Sequence, residues 1–223
     1  MMPEAMRRDE EPVRLFRSGL LEWFTHVHPA VVPVLWLPVA GYFLVQGAGR
    51  LPGLTVVLAA GMGLVVWSLA EYLIHRFVFH FSPRTSSAWL ARLLYLSHGV
   101  HHAQPWDKTR LVMPPAASIP LAVAFYWAFR GVIGQLLGAP SWVAPVFGGF
   151  LIGYVGYDML HYATHHLPMK WGPLRWIKRH HMLHHYSTPD ARYGVSTPTW
   201  DVVLGTMPES VGSATQRASA EKR

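Results

Sequence analysis

The chain of 223 residues contains no cysteine. A disulfide framework, a thiolate-bound metal and an iron–sulfur cluster ligated by the chain itself are therefore excluded. Charge is also scarce: Asp, Glu, Lys and Arg make up 14% of the sequence against 51% hydrophobic residues, a low charge content for a soluble domain. Acidic residues number only 12, and few lie near the histidines described below. That disfavours a bundle whose metals are held by Glu and Glu-x-x-His pairs. The net charge of +7 raises nucleic acid as a partner class, but the basic residues are distributed for another role and no nucleic-acid partner is expected.

In place of charge there is long apolar sequence. Four uncharged stretches, Trp23–Gly49, Leu51–Ala70, Leu111–Phe129 and Gly131–Tyr157, meet the length of about 20 residues that a helix needs to cross a bilayer. The last continues past Asp158 to a histidine cluster. Turns at Leu51-Pro-Gly53 and Gly138-Ala-Pro140 separate each pair, so the pattern predicts an all-α integral membrane protein with four transmembrane helices in two hairpins. Of the 19 Lys and Arg, only Arg50 and Arg130 fall in or beside the short turns. The rest lie in the N-terminal segment, the Arg76–Arg110 connection and the segment from Lys170 onward. The positive-inside rule makes those segments cytoplasmic and puts every histidine cluster on that side, in a helical cap. No cleavable signal peptide is expected. Residues 1–22 read as a cytoplasmic segment, 23–206 as the membrane domain and 207–223, rich in Ser, Ala and Gly, as a disordered tail.

Twelve of the 14 histidines fall in four clusters: His75 and His80; His98, His101 and His102; His161, His165 and His166; His180, His181, His184 and His185. Side chains at i, i+3 and i+4 share a helix face, which aligns His98, His101 and His102, aligns His181, His184 and His185, and sets His161 and His165 a turn apart. His75 and His80 lie about 140° apart on an ideal helix, so the helix must end or bend between them, or the two must reach different metals. His166 and His180 lie off the shared faces, and His26 and His28 read as ordinary interfacial residues. Neutral imidazole is the commonest metal ligand, and unliganded rings packed this densely would be costly. Ten such ligands exceed a tetrahedral structural zinc site and suit two ions, each with an open position for oxygen or water. The thiolate-free donor set is compatible with Fe, Zn, Cu or Ni.

Carboxylates near the span ends need partners. Glu71, one turn before His75, and Asp158, three residues before His161, are candidates to orient metal-bound imidazoles. Asp107 is a further candidate, and Tyr157, beside Asp158, is grouped with them. Tyr157, Trp67, Tyr72 and Phe79 are candidate lining residues for an apolar substrate.

The runs Glu71-Tyr-Leu-Ile-His-Arg-Phe-Val-Phe-His80, His98-Gly-Val-His-His102, Arg110-Leu-Val-Met-Pro-Pro115, Gly153-Tyr-Val-Gly-Tyr-Asp-Met-Leu-His-Tyr162 and His181-Met-Leu-His-His-Tyr186 resemble the fatty acid hydroxylase family. Within it they are most like fatty acid 2-hydroxylases acting on ceramide-type acyl chains. Gly194-Val-Ser-Thr197 and Trp200-Asp-Val-Val-Leu-Gly-Thr206 match as well. The resemblance implies two metals, iron for activity with zinc able to occupy the sites, bound by His75, His80, His98, His101, His102, His161, His165, His181, His184 and His185. It implies insertion of one oxygen atom from O2 beside the acyl carbonyl, with a lipid substrate drawn from the membrane. Several eukaryotic relatives carry a cytochrome b5 domain marked by His-Pro-Gly-Gly. Here His28-Pro29 is followed by Ala30, so the electron donor is expected to be a separate cytochrome b5-like or ferredoxin-like protein. The membrane is then a bacterial inner membrane or the endoplasmic reticulum. The same histidine pattern is similar to that of sterol and carotenoid hydroxylases and desaturases. A metal transporter would place ligands near mid-membrane, and a structural zinc protein would yield no oxygen-dependent product.

Overall fold

The computed structural model describes residues 12–81 and 87–208, and no strand occurs among them. A short helix α1 (Gly19–Trp23) precedes α2 (Val31–Ala48) and α3 (Gly53–Ile74). The cap segment holds α4 (Ala88–Leu94) and α5 (Val100–Ala103). Two further long helices follow, α6 (Pro115–Phe129) and α7 (Pro140–His166), then α8 (Gly172–Tyr186) and α9 (Thr199–Val203). Among the described residues, four helical segments are long and apolar enough to cross a membrane: Val31–Ala48, Gly53–Phe79, Pro115–Leu136 and Pro140–His166. They form the two expected hairpins, turning at residues 49–52 and 137–139. The expected disordered tail lies almost wholly in residues 209–223, outside the described ones.

Local chemistry moves each span from its expected limits. The first starts at Val31 rather than Trp23, because Pro29 supplies no N–H and the Val27 N–H instead donates to the Thr109 carbonyl at 2.7 Å. The second continues past Glu71, whose carboxylate is satisfied by hydrogen bonds described below. The third does not stop at Phe129. It runs through Arg130 to Leu136 as a π-helical segment, with the Arg130 guanidinium 5.7 Å from the Trp127 ring. The third span thus takes in the start of the stretch expected to be the fourth, and the pair turns at the expected Gly138, whose φ of +63° is a left-handed conformation that glycine adopts without strain.

Helix α7 is the central element. Of its most apolar stretch 67% is buried, against 11% for the Pro115–Leu136 span, whose outward side chains are available to lipid. Helices α7 and α3 touch almost backbone to backbone. A Cβ on Gly149 would lie 2.0 Å from the Ala60 carbonyl, and one on Gly63 2.0 Å from that of Val146. Trp67 of α3 then packs edge-on against Phe150 and Tyr154 of α7, at 5.0 and 5.2 Å between ring centres. Helix α2 covers the other side, its Trp36 indole donating to Ser118 of α6 at 3.3 Å. This packing brings the end of α3, the start of α6 and the end of α7 to one face, with the cap segment and α8 above them.

Candidate metal centre and its cavity

Two of the ligand-bearing turns before α6 are widened into π-helix. The His80 N–H bonds to the His75 carbonyl at 3.0 Å, five residues back, and this brings the two rings to 4.9 Å between centres. The bend between His75 and His80 is thus a π turn, a feature often found at functional sites. A second one, Tyr95–Gly99, carries His98.

The ten histidines singled out by spacing fall into two groups of five. His75, His80, His98, His102 and His184 form one; His101, His161, His165, His181 and His185 form the other. Within each group the ligand-capable nitrogens all lie within 4.8 Å of one another. The His98–His102 and His181–His185 faces each divide between the groups, whereas His161 and His165 of α7 stay in one. His166 lies tilted against Tyr162, 4.8 Å between ring centres, His180 faces Asp201 at 3.1 Å and His26 faces Thr109 at 2.6 Å, all outside the two groups.

The contacts inside each group are Nε2 to Nε2. His101 meets both His161 and His185 at 3.0 Å, and His181 meets His165 at 2.9 Å and His185 at 3.0 Å. A neutral imidazole nitrogen has either one proton or one lone pair, so a nitrogen facing two others cannot hydrogen-bond both well. Five lone pairs converging on one point suit a cation. The remote nitrogens fix this orientation: His75 Nδ1 donates to the Tyr193 carbonyl at 2.5 Å and His184 Nδ1 to that of Ala191 at 2.7 Å. Burial, followed by repulsion from neighbouring imidazoles, pushes the pKa of His80 down to about 4 and of His102 to about 3. The same causes hold His98, His101 and His181 well below the ordinary histidine value. At neutral pH these rings are unprotonated and able to ligate.

The carboxylates act at one remove. Glu71 accepts the Val195 and Ser196 N–H groups, each at 2.7 Å, and the Ser196 hydroxyl, whereas the His75 ring N–H goes to a backbone carbonyl. Asp158 accepts the Met113 N–H at 3.2 Å. Asp107 accepts the Thr109 N–H and hydroxyl at 2.9 and 2.7 Å. Tyr157 lies parallel to His161, 5.7 Å between ring centres. Sequence reasoning missed Asp201, which is fully buried and accepts from the Tyr193 N–H at 2.8 Å, the Gly194 N–H at 2.9 Å and the Thr206 hydroxyl at 2.7 Å. Burial pushes this carboxyl up, but bonds from His180, Thr206, Gly194 and Tyr193 outweigh it and hold it below its ordinary value. Its signal was available in the Trp200–Thr206 run, as an acid in an otherwise apolar segment.

Beside the histidines opens a cavity of about 510 Å³. His98, His101, His161, Tyr157 and Asp158 line it, Phe79 and Met113 flank it, and part of its wall comes from residues 15–25. Tyr157 and Phe79 thus occupy the expected lining position. Trp67 borders a different, very small void with Phe150 and Tyr154, and Tyr72 instead pairs with Thr206 at 2.9 Å.

The fatty acid hydroxylase family model matches residues 60–206. A dihydroceramide fatty acyl 2-hydroxylase of Arabidopsis thaliana is 38% identical over 201 residues, covering 89% of this chain and 81% of that one. Fatty acid 2-hydroxylase of Homo sapiens is 36% identical over 226 residues, 92% of this chain and 59% of its own length. A solved structure of full-length scs7p, with only the hydroxylase domain visible, superposes with a TM-score of 0.79 at 36% identity, over 86% of this chain and 70% of that one. With the metal-binding geometry, the cavity and these matches in agreement, the chain belongs to the fatty acid hydroxylase family.

Proposed function

We propose that this protein is a membrane-embedded, O2-dependent hydroxylase that inserts one oxygen atom at the carbon beside the carbonyl of a lipid acyl chain, in a free fatty acid or a ceramide-type lipid. The observation that carries this reading is the convergence of two five-imidazole groups beside an apolar cavity of about 510 Å³, within the size range of small-molecule sites. The relatives named as 2-hydroxylases support the position of attack.

His75, His80, His98, His102 and His184 would hold one metal ion, and His101, His161, His165, His181 and His185 the other. Two irons, when bound, supply the redox chemistry for O2 activation, and zinc fits the same nitrogens. The balance is one O2, two electrons and two protons per acyl C–H, giving the alcohol and water. The chain's own residues supply placement. Glu71 and Asp201 hold the segment whose Tyr193 and Ala191 carbonyls fix the His75 and His184 rings. Tyr157 and Asp158, the polar residues beside His161, face the carbonyl end of the acyl chain, and Asp107 shapes the loop that leads to the cavity. The apolar walls keep water from the reacting carbon. A separate cytochrome b5-like or ferredoxin-like protein delivers the electrons, and exposed Lys170, Arg175 and Arg179 offer an acidic donor a docking face on the cytoplasmic side.

Lipid mass spectrometry of a host expressing the chain under 18O2 tests this. The expected result is one labelled oxygen on acyl chains, mapped beside the carbonyl and absent from a His181→Ala, His184→Ala double variant. Unchanged acyl lipids with a competent donor present would refute it, and oxygenated sterols or carotenoids in their place would reassign the substrate.

A further inference from the structure

The cavity has a wall that the histidine scaffold does not provide. Residues 13–26 run along it as a strap, and their side chains Leu15, Phe16, Leu21 and Phe24 line the cavity. The strap also presents apolar side chains outward: Leu20 is 67% and Trp23 68% exposed, beside half-exposed Leu21 and Phe24. It leads directly into α2, at the membrane face where the histidines lie. An apolar surface of that kind beside a span suits the bilayer interface, which places the strap between lipid and cavity.

The strap is fastened by polar contacts away from the histidine groups. Glu22 accepts the Leu15 and Phe16 N–H groups at 2.9 and 2.7 Å and pairs with the nearly buried Arg110. Arg110 also donates to the Val13 carbonyl, and Arg92 donates to the Leu15 carbonyl at 2.7 Å. Gln104 accepts the Val13 N–H at 2.9 Å. Glu22 thus folds the strap back on itself and latches it to the segment after α5. Burial acts to raise the Glu22 carboxyl, but bonds from Phe16 and Leu15 and the Arg110 charge bring it below its ordinary value, so the latch is charged at neutral pH.

We propose that this strap is the chain-length selector of the acyl cavity: Leu15, Phe16, Leu21 and Phe24 end the acyl path, and the Glu22–Arg110 pair holds them at that distance. The inference rests on the acyl-lipid reading above. With the carbonyl end held beside His161 so that its neighbouring carbon can react, the tail must run through the remaining apolar volume, part of whose wall is the strap. Each methylene that still fits adds about fourfold to binding, while the first that meets the wall adds nothing, so the wall sets the preferred length.

Two sets of variants test this in opposite directions. Phe16→Ala with Leu21→Ala opens the end wall, and Thr25→Trp fills it. Purified protein in nanodiscs is titrated with cis-parinaric acid, displaced by saturated fatty acids of increasing length, and hydroxylated acyl chains from the expressing host are sized in parallel. The expected result is a shift of both profiles to longer chains in the opened variant and to shorter ones in the filled variant, with about a fourfold change in affinity per methylene at the edge. A folding defect lowers total signal but cannot move the two profiles in opposite directions. Unchanged profiles in both variants, with wild-type hydroxylation intact, would overturn the selector and leave the enzyme reading standing. If wild-type protein neither hydroxylates acyl chains nor releases the probe to fatty acids, both readings fall together.

Discussion

At the residue scale the histidines decide the chemistry, and each can be assigned its own consequence. His184 serves one group and His181 the other, though they are three residues apart on one helix. His184→Ala and His181→Ala should therefore each lower metal content by about half, and the double variant should retain almost none, as read by elemental analysis after gel filtration. Acid should act on the metal-free protein in a defined window. An unfolded histidine takes up a proton near 6.5, whereas folded His80 resists until about 4 and His102 until about 3. The unfolded state then binds more protons between those values, so stability is fully present above pH 6.5 and falls as pH drops toward 4. Melting of the metal-free form against pH checks this, and a flat profile across that window would contradict it. Which ten histidines gather was legible in the sequence, since helical spacing and a shared membrane face select them. Their division into fives was not, because a helical face one turn long spans both groups, and only the relative placement of α5, α7 and α8 divides it.

At the element scale the segment from Ala191 to Thr206 does work that its matching runs, Gly194–Thr197 and Trp200–Thr206, did not specify. Its carbonyls at Tyr193 and Ala191 orient His75 and His184, both in the same group, and two buried carboxylates, Glu71 of α3 and the segment's own Asp201, hold it through the Val195, Ser196, Tyr193 and Gly194 N–H groups. Outer groups of this kind tune metal affinity by about 10- to 100-fold. Asp201→Asn and Glu71→Gln should therefore weaken one of the two metals by about that factor and leave the other nearly unchanged. Competition with a graded chelator would resolve this as a split of one release step into two; equal weakening of both ions would mean that the segment supports the whole cap and not one site. The sequence identified Glu71 as a carboxylate in need of a partner, but a chain-local reading looks for that partner nearby. Its donors, the Val195 and Ser196 N–H groups, lie more than a hundred residues away, and a backbone N–H carries no sequence signature. The π turn at His75–Phe79 was legible only as a conflict, a five-residue spacing that an α-helix cannot align, whereas the one at Tyr95–Gly99 left no such sign because His98, His101 and His102 fit an α-helical face.

At the scale of the whole molecule, the two hairpins followed from apolar length and turn residues, while their packing depends on contacts that composition does not encode. Gly149 is the clearest case: a side chain there would meet the Ala60 carbonyl at 2.0 Å, backbone that cannot rotate away. Gly149→Leu should cost at least about 1–3 kcal/mol and lower the melting temperature in detergent, whereas Gly156→Ala, with open space at its Cβ, should not. Orientation is the remaining global property, and the same absence of cysteine that excludes thiolate chemistry makes it measurable without a background. Both hairpin turns lie at one end of the bundle and the histidine cap at the other, so two introduced thiols suffice. The sparse charge of the turns against the basic cap favours a cytoplasmic cap. An Arg50→Cys variant should react with a membrane-impermeant maleimide in intact cells, and a Ser187→Cys variant only after permeabilisation. The reverse pattern would put the metal centre, and the docking of any electron donor, on the opposite side. Labelling of both in intact cells would mean that the four apolar helices do not span.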